Sequence, residues 1–305
     1  TNDCTPDSSM EKLKAVIKEY PSLKDNIKII NHEKNMGISV TRNEGFDNAS
    51  GEYLICTDSD DYVEPDYLEA LYEEAKKGNY DITGCAFYVT PDYNYPDKSA
   101  FEEHVKVEVL NNDIKTCVFT ILDESVGCYL WNKLIKTDFL QKSGVYFVEE
   151  LYCIEDVPFI IELLTKNPSL GYIPKPLYHY VKRENSAIHG VHKQKKVENI
   201  FLMLKYVKDI LIKNKMEWAY EACDRLVFTF KYKLLFCGTN RAQKKCLYLP
   251  KELNRFAGEF VKKPFYRMII RLSGFSPFLA YLILHIYYLG KCLRGRVDYK
   301  SYIEK

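Results

Sequence analysis

Apolar positions recur at helical spacing between Ser8 and Tyr20, where Leu13, Val16, Ile17 and Tyr20 share one side, so an amphipathic helix is expected there. Ser8 followed by Glu11 has the form of a capping box. Two short apolar runs, Ile27 to Asn31 and Tyr53 to Thr57, flank a polar, helix-compatible stretch that ends near Ala49, and each has the bounded character of a strand. Pro65 suits the first turn of a further helix, whose apolar face is Leu68, Leu71, Tyr72 and Ala75 and whose stop is Gly78. A third strand is expected over Asp81 to Tyr88. Strands that alternate with helices on short connections predict an α/β fold, a mostly parallel sheet flanked by helices on both faces. In such sheets ligands sit beyond the carboxyl ends of the strands.

From Pro91 to Asn111 the pattern weakens into a loop-rich excursion with room for one strand, and periodicity returns as a helix over Asp113 to Leu122 and again over Tyr129 to Ile135. Beyond Lys193 long helical patterns dominate: Val197 to Ile212, Glu217 to Phe236 and Pro250 to Val261. The expected organisation is an α/β domain over residues 1–190 and a C-terminal helical appendage over residues 191–305. Near its end the chain carries the apolar run Phe275 to Leu289, which is short against the roughly 18–20 residues that span a bilayer. Lys262, Lys263, Arg267 and Arg271 precede it, and Lys291, Arg294 and Arg296 follow. Two readings of residues 262–296 stand side by side: a helix lying on an anionic membrane face, or a buried helix of the appendage.

Composition narrows the classes. With 305 residues, 47% of them hydrophobic, the chain can bury a sizeable core. Lys plus Arg (43) and Asp plus Glu (42) nearly cancel, so no global field attracts nucleic acid, and no basic and aromatic ladder for it emerges. Ten cysteines at scattered spacings form no CxxC pair or Cys/His cluster, which predicts thiols used as small core hydrophobes in a reduced, cytoplasmic compartment.

The chemistry concentrates at Asp58-Ser59-Asp60-Asp61, directly after the Tyr53 to Thr57 strand. Three carboxylates in four residues repel one another at a strand end unless a cation is present. Mg²⁺ or Mn²⁺ held by one or two carboxylates and substrate phosphates suits the Asp-x-Asp spacing, and a solvated turn capping the next helix is the alternative. A second acidic pair, Glu155-Asp156, precedes the helix Val157 to Leu164 and could supply a general base, or could simply complement a helix N-terminus. Gly37 and Gly45 make no GxGxxG fingerprint, so a dinucleotide-binding Rossmann enzyme is disfavoured.

The string from Asn35 to Gly45 (NMGISVTRNEG), then Ala49-Ser50-Gly51-Glu52-Tyr53 and Asp58-Ser59-Asp60-Asp61, strongly resembles the nucleotide-sugar-binding half of glycosyltransferase family 2, the group with the GT-A fold. Trp131-Asn132-Lys133-Leu134, Gly144-Val145-Tyr146-Phe147, Glu155-Asp156 and Tyr178-His179-Tyr180-Val181-Lys182-Arg183 resemble the acceptor half of its bacterial polysaccharide members. The resemblance implies a metal-dependent, inverting enzyme using Mn²⁺ or Mg²⁺, with Asp60 the direct metal ligand, Asp58 near the metal and the ribose, and Asp156 the catalytic base. It implies that Asp3, Arg42, Asn43 and Ser59 lie by the nucleotide sugar. Trp131, Glu155 and Asp61 would lie by the donor sugar or acceptor, and Arg183 and His179 by the diphosphate.

The partners implied are a UDP-linked donor and a glycan or lipid-linked acceptor, at the cytoplasmic side of the cell membrane. Family members begin with a strand, a helix and a second strand reaching the counterpart of Asp3, so this chain is expected to lack that N-terminal strand-helix-strand. Two other classes stay open: a metal-dependent nucleotidyltransferase on a similar sheet, and a non-catalytic binding protein.

Overall fold

A computed structural model describes residues 1–90, 102–104, 113–123, 128–181, 193–237 and 240–294. Its centre is a six-stranded sheet in the order β1-β5-β3-β6-β2, with β4 paired to β3. The strands are β1 (Tyr53–Ile55), β2 (Tyr62–Val63), β3 (Ile82–Thr90), β4 (Glu102–His104), β5 (Lys133–Lys136) and β6 (Leu170–Val181). The α/β expectation holds, but the sheet is mixed rather than mostly parallel. Among the described strands only β3 and β6 pair in parallel, while β1–β5, β3–β5, β3–β4 and β2–β6 are antiparallel. The reason is long-range pairing: β5 enters the sheet between β1 and β3 against their direction, and β2 runs back along β6.

The expected strand at Ile27 to Asn31 is reduced to one bridge between Asn31 and Asn2, because the backbone beside it is only the short stretch around Asn2. The helix α1 (Ser9–Glu19) forms as predicted, though Ser8 makes no side-chain cap and Asp7 instead accepts from the Ser9 amide. Its apolar residues Leu13 and Val16 remain exposed.

Strand alternation sorts the core. Cys85, Phe87 and Val89 of β3 pack with Tyr67, Leu71 and Ala75 of α3 (Tyr67–Gly78) and with Trp131 and Tyr178. Ile82 joins the opposite face, where Phe46 of α2 (Ile38–Asp47), Val118 of α4 (Ile114–Leu122), Leu140 of α5 (Thr137–Ser143) and Phe159 of α6 (Asp156–Leu164) meet. That second cluster continues into Met203 and Val207 of α7 (Lys193–Lys213) and Leu226 of α8 (Tyr220–Cys237). A continuous core therefore crosses the boundary expected near residue 190.

A separate cluster closes the C-terminal end, built from the far half of α8 with α9 (Asn240–Leu247), α10 (Ala257–Phe260), α11 (Pro264–Ser273) and α12 (Pro277–Leu293). Six described cysteines are buried, among them Cys85, Cys117 and Cys246, and all nine whose side chains are described are free thiols.

Candidate active site

The acidic loop is fixed by the topology. Strands β1 and β2 are consecutive in the chain but stand at opposite ends of the strand order, so residues 56–61 must cross the ends of the strands between them. The far side of the crossing is anchored on β6. The Tyr178 hydroxyl donates to Asp61 Oδ2 (2.8 Å) and accepts from the Asp58 amide (3.2 Å), while the Val181 amide donates to Asp61 Oδ1 (2.8 Å). Burial pushes the Asp61 carboxyl up, against the pull of the Val181 and Tyr178 hydrogen bonds.

Asp58, Asp60 and Asp61 each offer a carboxylate oxygen, all within 4.8 Å of one another. A compact set of hard oxygen donors of this kind fits a divalent cation such as Mg²⁺ or Mn²⁺. Within this set, Asp61 uses both of its oxygens to hold the loop to β6.

Arg42 reaches this loop from α2. Gly37, with φ of 92°, supplies the left-handed turn that starts the helix. Helical periodicity then directs Ser39, Arg42, Asn43 and Phe46 inward. The guanidinium sits beside the Phe147 ring and joins both acidic clusters. Its Nη2 donates to Asp58 Oδ1 (3.0 Å), and its Nη1 donates to Glu155 Oε1 (2.6 Å) and Asp156 Oδ1 (2.8 Å). Burial opposes the charge on Arg42, but Asp156, Glu155 and Asp58 together outweigh it, so the proton is held more tightly than usual. Burial also pushes the neighbouring Cys56 thiol up to about 11, keeping it protonated.

The second acidic pair is delivered by a clamped segment. Asn43 exchanges two hydrogen bonds with the Phe147 backbone, Nδ2 to O (3.0 Å) and Oδ1 from N (2.8 Å), and the Ser39 hydroxyl donates to the Leu151 carbonyl. From the other side, Asn199 of α7 accepts from the amides of Tyr152 and Cys153 and donates to the Glu150 carbonyl. Ile154 then takes a left-handed φ of 62°, a strained conformation for a β-branched residue, and turns the chain so that Glu155 and Asp156 meet Arg42 at the start of α6. Burial raises the Asp156 carboxyl to about 7; Arg42 pulls it down, and Glu155 and Asp58 add to the rise. At that value the group exchanges its proton near neutrality, which is what a general base requires.

The other expected site residues make the following contacts in the fold. Asp3 closes a turn: its carboxylate accepts from the Met36 and Gly37 amides (2.6 and 2.8 Å) and pairs with His32 Nδ1 (2.7 Å), whose Nε2 meets Glu44 (2.8 Å). Although desolvation opposes it, these partners hold Asp3 below the usual carboxylate range, and the His32 ring is raised by Asp3 and Glu44. Beside this cluster lies a cavity of about 430 Å³ lined by His32, Glu33, Lys34, Met36, Val40 and Glu44.

Asn43 is hydrogen-bonded to the Phe147 backbone, and Ser59 is exposed on the acidic loop. Trp131, expected near the sugar, is 3% exposed and stacked between Tyr129 and Tyr178 at 4.7 and 4.2 Å, so it is a core residue that braces Tyr178. His179, expected at the diphosphate, is sandwiched between Tyr62 and Tyr88 and hydrogen-bonded to Thr90 and Glu64, which engages both ring nitrogens inside the protein. Arg183 lies outside the described residues. Sequence reasoning did not single out Tyr178, Asn199 or His32 with Glu44. Only Tyr178 had a signal, its alternation with Tyr180 on one strand.

Residues 4–143 match the sequence profile of Glycosyl transferase family 2. Over that stretch the chain is similar to this family. Among similar proteins, it is 29% identical over 246 residues to the cholesterol galactosyltransferase of Borreliella burgdorferi, an alignment covering 75% of this chain and 62% of that protein. To glycosyltransferase EpsJ of Bacillus subtilis it is 30% identical over 189 residues, covering 61% of this chain and 52% of EpsJ. It therefore spans less than two thirds of the length of these two relatives. In structure it is similar to Staphylococcus aureus TarS in complex with UDP-GlcNAc, with a TM-score of 0.60 at 18% identity over 97% of this chain and 82% of that one. That likeness bears out the expected GT-A-like fold.

Proposed function

We infer that this chain transfers a sugar from a nucleotide-linked donor to a hydroxyl of a glycan or lipid-linked acceptor, with inversion at the anomeric carbon. The observation that carries the reading is the meeting of two acidic clusters, far apart in the chain, on one guanidinium: Asp58 on one side, Glu155 and Asp156 on the other. A uridine diphosphate donor is favoured because the structural neighbour TarS binds UDP and UDP-GlcNAc. The relatives that carry this inference include galactosyl, glucosyl and N-acetylglucosaminyl transferases, so the sugar is left as a hexose or its N-acetyl form.

In the proposed reaction Asp156 accepts the proton of the acceptor hydroxyl as that oxygen attacks the anomeric carbon. One carbon–oxygen bond forms, the bond to the diphosphate breaks, and the nucleoside diphosphate leaves with its electron pair. Arg42 orients Asp156 through Oδ1, and Glu155, on the same Nη1, fixes the guanidinium in place. Asp60 and Asp58 would hold a divalent cation, which supplies charge stabilisation to the departing diphosphate. Asp61 and Tyr178 keep the loop that carries these ligands against β6.

Calorimetry of UDP binding tests the reading. Affinity should rise with Mn²⁺ or Mg²⁺ in the wild type and lose that dependence in Asp60→Ala. Unchanged metal-dependent affinity in the variant would remove Asp60 from the site. With a UDP-sugar and an acceptor, release of UDP is expected, and release of pyrophosphate in its place would favour the nucleotidyltransferase reading.

A further inference from the structure

Helix α12 has two apolar faces. Ala280, Leu284 and Tyr288 point into the C-terminal cluster and are 0–5% exposed. On the other side Phe278, Leu279, Leu282 and Ile286 are 42–67% exposed, and Phe275 before the helix and Leu293 at its end reach 92% and 89%. At about 100° per residue, positions 278, 282, 286 and 293 fall on a single stripe along the helix. A stripe of large apolar side chains in water is costly, so its presence points to a partner that covers it.

Charge identifies the kind of partner. Between Phe260 and Arg294 the chain has six Lys or Arg residues and no Asp or Glu, in a protein whose acidic and basic residues otherwise nearly balance. Lys262, Lys263 and Arg271 are exposed ahead of the stripe, and Arg294 is exposed beyond it. Lys291 rests over the Tyr287 and Tyr288 rings, at 4.7 and 5.0 Å from their centroids, an arrangement that lets a cation sit at a boundary between apolar and polar surroundings. A protein partner of ordinary composition gives no reason for this one-sided charge, whereas an anionic bilayer matches both the apolar stripe and the cations around it. The helix is 17 residues long, and no helix among the described residues is long and apolar enough to cross a membrane, so the match is to a surface-lying element.

We propose that α12, with the cationic residues of α11 and its flanks, docks this protein on an anionic phospholipid surface by inserting the Phe275–Phe278–Ile286 stripe among the lipids. The proposal does not depend on the transfer reaction and is read without turnover.

The test is cosedimentation of the full chain with vesicles of phosphatidylcholine alone and of phosphatidylcholine mixed with phosphatidylglycerol. The mixed vesicles should bind at least about 10-fold more protein, and the excess should fall as salt is raised past the range where exposed charges are screened. The double variant Phe278→Ser/Ile286→Ser should lose at least about 10-fold of that binding, and Lys262→Glu/Lys263→Glu should weaken it on the anionic vesicles alone. Both pairs are exposed, so an unchanged melting curve and unchanged UDP binding would show that each variant is folded. Absence of vesicle binding, or equal binding by wild type and the serine variant, overturns the proposal. So does a wild-type dimer that the serine variant dissociates without any vesicle binding, which would assign the stripe to a second copy of the chain.

Discussion

The acidic site and the C-terminal helices handle charge in opposite ways. Around Arg42, charges of both signs are withdrawn from water and locked to one another: one guanidinium meets three carboxylates, and the loop beside it is tied to β6. Around α12, cations stay in solvent and the exposed apolar side chains between them have no acidic neighbour in sequence. Buried charge is stable only in a geometry that pairs it, so the first region is rigid and exacting, whereas exposed charge on an amphipathic surface tolerates change and acts through its sum. Substitutions should accordingly hurt in proportion to how completely the lost partner was enclosed.

The largest effect is expected at Asp156. Asp156→Asn keeps the shape and removes the proton acceptor, so turnover should fall by at least about 100-fold while UDP binding persists. Near-normal turnover would move the base elsewhere. In the wild type the Asp156 carboxyl is raised to about 7 by burial, against the pull of Arg42, and it accepts a proton only when ionised. The rate should therefore climb as pH rises towards and through that value, then level off. A rate that falls over the same range contradicts the assignment.

Next comes Arg42→Met, which leaves Asp58, Glu155 and Asp156 facing one another without their cation. Loss of one partner from a buried ion network costs about 3–5 kcal/mol, measurable by urea unfolding. A loss below about 1 kcal/mol would mean that water serves these carboxylates as well as the guanidinium does.

The smallest of the three is Tyr178→Phe. It removes a hydroxyl that donates to Asp61 and accepts from the Asp58 amide, in a partly enclosed setting, and should cost about 1–3 kcal/mol with weaker metal-dependent donor binding. Unchanged stability together with unchanged donor binding would show that the acidic loop holds its place without β6.

The same contrast explains what could be read from the chain before its fold was known. Helices α1, α3, α4 and α6 are carried by local periodicity, and strands β1 and β3 by compact apolar runs, so their place in the chain was legible. Strand direction was not, because β5 and β2 join the sheet through long-range pairing that leaves no local mark. In the site, the acidic motifs stood out by residue type and spacing. The fates of Asn43, Trp131 and His179 did not: each side chain can serve a ligand or the core, and only its neighbours decide. Asn43 meets Phe147, Trp131 meets Tyr129 and Tyr178, and His179 meets Tyr62, Tyr88 and Glu64. Asn199 was invisible because its partners, Glu150, Tyr152 and Cys153, lie almost fifty positions upstream.

Asn199 also bears on how the protein can be cut and recombined. The strained turn at Ile154 is held from one flank by α2 and from the other by an amide that belongs to α7. A chimera joined near residue 190 would inherit Asp156 but not the hand that steadies it. The smallest transplantable module thus runs through the first helix of the region that looks dispensable, and a graft that respects this seam keeps its geometry whichever helices follow.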